Sequence, residues 1–193
     1  FGPQMQRSLR FRSSASAYLS RTPSVAGNRQ KWTLSAWVKR GVLGTQQTLL
    51  SAGNGLGSYD LIHLYIDPTG VLDITSSSVG FITTAVFRDP SAWYHIVVAF
   101  DTTQATAANR TIIYVNGVQQ VGTWSGYFTQ NGQYSINDTV STSIGRRDYV
   151  ADRYFDGYMA EINFIDGQAL DPSYFGKFNA TTGVWQPNIY TGT

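Results

Sequence analysis

Trp93-Tyr94-His95-Ile96-Val97-Val98-Ala99-Phe100-Asp101 decides the fold. It is apolar on both alternating faces and too short for a buried helix, which is the pattern of a central strand covered on both sides. After a loop, Thr111 to Val115 runs into Asn116-Gly117, a pair suited to a type I′ turn that closes a hairpin. Working outward, period-2 stretches recur between clusters of Gly, Asn, Asp and Ser, and no window of a dozen residues carries a helical apolar stripe. The expected strands are Leu9 to Arg12, Trp32 to Val38, Thr48 to Ala52, Leu61 to Ile66, Val71 to Thr75, Phe81 to Ala85, Trp93 to Phe100, Thr111 to Val115, Ser141 to Ile144 and Tyr158 to Ile165. Asp67-Pro68-Thr69-Gly70 and Asp166-Gly167 supply further tight turns. One short helical turn is expected at Asp171-Pro172-Ser173-Tyr174-Phe175, with Asp as N-cap. The fold class is therefore all-β, an antiparallel β-sandwich.

The chain has 193 residues, a formal charge of +2 and no cysteine. That suits one domain large enough for a proper core and excludes disulfide scaffolds and thiolate metal sites. No signal peptide or long apolar span is present, and the chain reads as soluble. Neither its first residue nor its ending, Tyr190-Thr191-Gly192-Thr193, resembles a natural terminus, so a domain cut from a longer protein is expected. Charge is unevenly spread: eight basic and no acidic residues lie in the first 59 positions, against six basic and twelve acidic afterwards. A basic arm for nucleic acid or membrane is one reading of such asymmetry. The alternation in Ser8-Leu9-Arg10-Phe11-Arg12 favours another, a half-buried first strand beside a late acidic one, with Arg10 and Arg12 near Asp156 and Glu161. In that late strand Tyr158, Ala160, Ile162 and Phe164 are expected to face the core, with Glu161 and Asn163 facing out.

Three ordered stretches resemble a known family. They are Ser8-Leu9-Arg10-Phe11 with Lys31-Trp32-Thr33-Leu34-Ser35-Ala36-Trp37-Val38-Lys39; the Trp93 strand with Ile112-Ile113-Tyr114-Val115-Asn116-Gly117; and Ser143-Ile144-Gly145 with Phe155-Asp156-Gly157-Tyr158-Met159-Ala160-Glu161-Ile162 and Gln168-Ala169-Leu170-Asp171. Together they resemble the laminin-G-like jelly rolls of the concanavalin A-like lectin/glucanase superfamily. The resemblance implies two curved antiparallel sheets of about six or seven strands each. It divides the chain into an N-terminal arm (1–7), the sandwich (8–175) and a C-terminal extension (176–193). The runs from Ser8 to Arg21 and from Asp156 to Leu170 look most like domains in structural proteins of tailed bacteriophages, which implies a virion-surface setting after assembly in the host cytoplasm.

Catalysis finds little support. Glycosidases of the superfamily use two carboxylates about 5 to 10 Å apart, yet Glu161 is the sole glutamate. Asp148 and Asp152 are the nearest acidic pair, in a loop that reads as a solvated rim or cation site. His95 reads as a packed strand residue, His63 flanks Leu61 and Tyr65, and nothing ties either to an activated serine. Gly53-Asn54-Gly55-Leu56-Gly57 precedes no helix and reads as a hairpin loop rather than a phosphate cradle. Related jelly rolls often hold calcium at a rim, for which Asn137, Asp148 and Asp152 are the candidates. No EF-hand spacing supports it, and no metal or cofactor is expected.

Binding is the better class. The segment from Gly122 to Tyr134 reads as a long aromatic loop offering Trp124, Tyr127, Phe128 and Tyr134 for stacking on sugar rings or on a neighbour, with Arg146, Arg147 and Tyr149 on the same rim. Covering the mouth of the sandwich is the alternative role for these aromatics. The expected function is a non-catalytic structural or decorating component of a phage particle, capsid or fibre, in symmetric copies. It would contact other virion proteins and host-surface glycan, with no nucleic acid and no membrane partner. A glycan receptor module of a tail fibre or adhesin is the alternative, and an endo-acting glycoside hydrolase a weaker one. The arm from Phe1 to Arg7 is expected to be disordered when free and to attach the chain to a neighbouring subunit.

Overall fold

The computed structural model describes residues 5, 7–53, 61–77 and 79–192. Its strands are β1 (Leu9–Phe11), β2 (Leu19–Arg21), β3 (Lys31–Arg40), β4 (Gln47–Ala52), β5 (Ile62–Ile66), β6 (Val71–Ser76), β7 (Val79–Val86) and β8 (Tyr94–Asp101). There follow β9 (Thr111–Val115), β10 (Val118–Gln119), β11 (Gly122–Gly126), β12 (Thr142–Ile144), β13 (Gly157–Asp166), β14 (Gly176–Phe178) and β15 (Trp185–Pro187). Each of the ten expected strands is present, with ends shifted by at most two residues. In the expected short helical turn, Pro172–Tyr174 forms a 3-10 turn and the Asp171 carboxylate accepts from the Ser173 N–H at 2.8 Å. Most of the expected arm and of the expected loop after Gly53 lies outside the described residues. Among the described residues no helix is long and apolar enough to cross a membrane.

Two antiparallel sheets face each other. One has six strands in the order β1-β13-β3-β8-β9-β10, the other seven in the order β11-β7-β6-β5-β4-β12-β2. Alternation along each strand sends one set of side chains into the space between the sheets. From β3 these are Trp32, Leu34, Ala36 and Val38; from β8, Ile96, Val98 and Phe100; from β5 and β6, Ile62, Leu64, Ile66, Leu72 and Ile74. Within this core Trp32 stacks on Phe100 at 4.8 Å between ring centres.

The first strand does lie beside the late acidic one, since β1 pairs with β13 in the register Leu9↔Met159 and Phe11↔Gly157. Arg10 pairs with Asp156 at 2.9 Å, and the Ser13 N–H and hydroxyl donate to the same carboxylate. Burial alone would raise this carboxyl, but the Ser13 donors and the Arg10 guanidinium outweigh it and hold Asp156 below the usual carboxylate range. Lys31 and Arg29 find Asp101 and Asp138 in the same way. Of the four charges expected to meet here, some in pairs, Arg10 and Asp156 do so, while Arg12 and Glu161 stand at different ends of the β1–β13 contact and make no ion pair among the described residues.

The inward set expected for β13 needs correcting. Glu161 takes a left-handed conformation (φ 47°), and the register with β3 slips between Ala160 and Asn163. This β-bulge reverses the alternation. Before it Met159 points to the core and Tyr158 is exposed; after it Ile162 and Phe164 pack inward.

The outer face of the six-stranded sheet is covered. Residues 176–192 include the β14–β15 hairpin, and Trp185 lies flat over His95 of β8 with ring centres 5.9 Å apart. Trp37 stacks near His95 at 4.8 Å. The Trp185 indole N–H donates to His95 Nδ1 at 2.9 Å. Because an indole N–H can only donate, Nδ1 is the acceptor, so the ring proton sits on Nε2 and points at the Ser35 hydroxyl 2.9 Å away. His95 is thus the packed strand residue expected, and burial lowers its pKa to about 4. Beside it Val97, Leu170 and Phe175 form a second small core.

Candidate functional site

The outer face of the seven-stranded sheet is polar. Pairing registers set its outward residues in two rows across the strands. One row runs Ser20, Ser143, Ser51, His63, Thr75 and Gly80 through β2, β12, β4, β5, β6 and β7. The next runs Thr48, Tyr65, Asp73, Ile82 and Thr123 through β4, β5, β6, β7 and β11. Tyr65, Thr75 and Ile82 are half-buried, and Thr84 and Thr123 are exposed. This end of the sheet presents hydroxyls, one phenol and one carboxylate around a single aliphatic side chain.

The loop from Gly145 to Phe155 builds a wall at the other end. It is pinned to β4 by Gly145 N–H to Leu49 C=O and Thr48 N–H to Arg153 C=O, at 3.2 and 3.0 Å. The Ser143 hydroxyl donates to Asp148 at 2.5 Å, and the Asp148 N–H reaches the Ser51 hydroxyl at 3.3 Å. Arg146 binds Asp148 at 2.6 Å with its guanidinium 3.7 Å over the Tyr18 ring, while Arg147 grips both Asp152 oxygens, one at 2.6 Å. Ala151 and Arg153 hold left-handed backbone at φ 56° and 53°, strain of the kind that tends to concentrate in binding loops. With two Arg–Asp pairs closed, Arg153 remains the exposed cation of the wall, and Tyr149 lies against Gly53.

The electrostatics follow from burial beside these cations. His63 lies under the wall with Nε2 2.9 Å from the Thr48 hydroxyl. Burial, reinforced by the Arg153 and Arg147 charges, lowers its pKa to about 3, so it stays neutral. Tyr65 stacks on His63 at 4.4 Å and donates to Asp73 at 2.5 Å. Burial raises the Tyr65 phenol, helped by that carboxylate, and burial likewise raises Asp73 despite the bond from Tyr65. Glu161 sits in β13 of the opposite sheet, so Asp73 and Glu161 do not flank a common cleft. The arrangement offers donors, acceptors and ring faces to a hydroxyl-rich ligand.

The sequence-predicted site residues are not one cluster. Phe128 and Tyr134 belong to the core, a correction to their expected role as surface stacking groups and in accord with the alternative, a cover for the mouth of the sandwich. Both meet Phe100 edge-to-face, at 5.1 and 5.7 Å, and their segment plugs the end of the sandwich. Arg110 donates to the Phe128 carbonyl and the Thr102 hydroxyl to that of Gly132, which ties the segment down. The expected loop from Gly122 is moreover a strand, β11, to Gly126. Trp124 is half-buried between Phe81 and Tyr127, each 4.8 Å away, which leaves Tyr127 as the exposed aromatic of the four. Arg146, Arg147 and Tyr149 do share a rim, but β11 and β12 are five strands apart, about 24 Å at the usual spacing, so the same-rim expectation is also corrected. Asp148 and Asp152 are each held by an arginine, and Asn137 donates to Asp166 instead, so the calcium candidates do not converge. Among the described residues no three of His, Cys, Asp and Glu form a group able to hold a metal ion. Sequence reading missed His63, Tyr65, Asp73, Thr75 and Arg153. The visible signal was polar side chains at alternate positions of β5 and β6.

Residues 13–173 match the Laminin_G_3 family model, Concanavalin A-like lectin/glucanases superfamily, and the chain belongs to this family. No curated protein matches it by sequence. Among solved structures it is similar to the native heptameric SAP-like pentraxin of Limulus polyphemus, at 14% identity over 84% of this chain and 72% of that one, with TM-score 0.54. Domain 4 of a GH43 extracellular arabinanase from Geobacillus stearothermophilus, solved with arabinotriose, is 21% identical over 76% of this chain and 65% of that one, with TM-score 0.52. The CBM40 of a Ruminococcus gnavus IT-sialidase, bound to α2,3-sialyllactose, is 17% identical over 81% and 92%, with TM-score 0.50. At these identities the likeness establishes the fold.

Proposed function

We propose that this domain is a non-catalytic surface component of a tailed-bacteriophage particle, held in symmetric copies by contacts with other virion proteins, and that it binds host-surface glycan on the outer face of the seven-stranded sheet. The observation that carries the glycan half is the contrast between the two outer faces. One is covered by the C-terminal hairpin around Trp185, whereas the other presents Tyr65, Thr75, Ile82 and Thr123 beside a strained wall bearing Tyr149 and Arg153. Sugars are recognised by ring faces together with fixed donors and acceptors, which this face supplies. Two structures of like fold were solved with oligosaccharides bound, which is consistent with the reading. The phage setting rests on the resemblance of the runs Ser8 to Arg21 and Asp156 to Leu170.

The absence of turnover is part of the proposal, because hydrolysis needs two carboxylates across one bond and the sole glutamate lies in the other sheet. A glycan array probed with the domain and with Tyr149→Ala and Arg153→Asn tests the reading; Asn tolerates the left-handed backbone at position 153. Retention of a defined oligosaccharide class by the parent, lost in both variants, is expected. An array on which the folded domain retains nothing would remove the glycan half. Labelling of purified particles with antibody to the domain decides the virion half.

A further inference from the structure

Among the described residues strand β2 is an open edge of the seven-stranded sheet: it pairs with β12 on one side, and all three of its residues are exposed. Beneath it lies a pocket of about 180 Å³ between the two sheets, walled by Leu19, Pro23, Leu50, Ile144 and Phe164, with Arg21 at its margin. The pocket exists because the opposite sheet stops short here. Among the described residues β1 covers β13 only from Gly157 to Met159, and no strand lies beyond Phe164 to close the gap. An apolar cavity on the order of 150 Å³ can hold a benzene ring, so the space suits one phenyl side chain. A three-residue edge ending in arginine is also how a sheet guards against self-pairing. A guarded edge, however, has no use for an apolar pocket beneath it.

We propose that β2 is a docking edge for an extended segment of another protein, which pairs with the β2 backbone, inserts an apolar side chain between the sheets and presents a carboxylate to Arg21. Geometry supports the first two elements together. A strand laid beside β2 continues the sheet, and its alternate side chains point into the same inter-sheet space as Leu19, which pairs with Ile144. Charge supports the third, for Arg21 is the one ionisable side chain lining the pocket and makes no ion pair among the described residues. The surface is distinct from the glycan-binding face, which lies on the other side of the same sheet, and the proposal does not depend on glycan binding.

The probe is acetyl-Asp-Thr-Phe-Thr-Asp-amide, titrated into the isotopically labelled domain up to about 1 mM, a range that covers weak peptide binding. Chemical-shift changes are expected at Leu19 to Arg21, Thr142 to Ile144 and Phe164, with slowed amide exchange in β2. Arg21→Glu should weaken binding at least about tenfold, with Arg21→Gln intermediate. Both substitutions are at an exposed position, so the fold should survive, and unchanged far-ultraviolet dichroism checks this. A peptide with Asp in place of Phe should not bind. Absence of shifts, shifts centred elsewhere, or equal affinity in Arg21→Glu would overturn the proposal. So would concentration-dependent self-association abolished by Arg21→Glu, which would make the occupant a second copy of this chain.

Discussion

Replacing Trp185 by Ala tests whether the C-terminal hairpin is part of the folded unit. The indole ring is stacked on His95, donates to its Nδ1, and sits so tightly over Gly117 and Gly176 that a Cβ on either would come within 2.5 Å of the ring. Truncating a fully buried Trp costs about 3–5 kcal/mol; Trp185 is only half-buried, which halves that figure to about 2 kcal/mol. Leaving the buried His95 Nδ1 without a donor adds about 1 kcal/mol, for a total near 3 kcal/mol. In a domain of this size each kcal/mol shifts Tm by about 2–4 °C, so Trp185→Ala should lower it by about 6–12 °C. Trp185→Phe keeps a ring over His95 and loses the N–H, and should cost about 1–2 kcal/mol. Calorimetry on the two variants provides the measurement. An unchanged Tm in Trp185→Ala, or equal losses in both variants, would refute the reasoning. The first result would mean that the hairpin frays independently, and the second that the stacked ring adds nothing beyond its hydrogen bond to His95.

Stability should fall with acid well before the carboxylates titrate. His95 and His63 have folded pKa values lowered to about 4 and about 3 from 6.5, so below pH 6.5 the unfolded chain takes up protons the folded chain refuses. Their contribution is complete above pH 6.5 and declines as pH drops toward 4 and then 3; urea titrations across that window should show a slope that His63→Gln reduces by close to one proton. Asp156→Asn should cost about 1–2 kcal/mol by weakening the charged hydrogen bonds from Ser13 and Arg10, read as a lower urea midpoint with unchanged slope. Phe128→Ala should cost about 3–5 kcal/mol, as a core residue does; a loss below about 1 kcal/mol would return Phe128 to the surface. No reducing sugar should be released from β-glucans, galactans or host polysaccharide, and a steady release abolished by Glu161→Gln would overturn the non-catalytic proposal.

Periodicity made the sandwich legible because strands buried on one or both faces must show it. Charge asymmetry made the β1–β13 neighbourhood legible, since Arg10 needs a partner that only the acidic half supplies. Three features were not legible, for different reasons. The bulge at Glu161 requires left-handed backbone where the sequence shows neither Gly nor Asn, so the alternation carried no warning of its reversal. The segment from Gly122 to Tyr134 has the composition of a loop, and local pattern left exposed stacking groups and a cover for the mouth as alternatives; the open end of the core took Phe128 and Tyr134 as its plug, a tertiary demand. The polar face was half visible: alternation marks His63, Tyr65, Asp73 and Thr75 as outward, but only the registers between strands set them in rows. The short edge strand β2 has no pattern of its own and forms because β12 offers it an edge.

The most direct test of the central claim is amide chemical-shift mapping of the domain with an oligosaccharide selected from a glycan array. The account predicts perturbations that cluster at Tyr65, Thr75, Ile82 and Thr123 and along the wall from Tyr149 to Arg153. Perturbations centred on Trp185 and the hairpin face, or on Trp124 and Tyr127 alone, would contradict it.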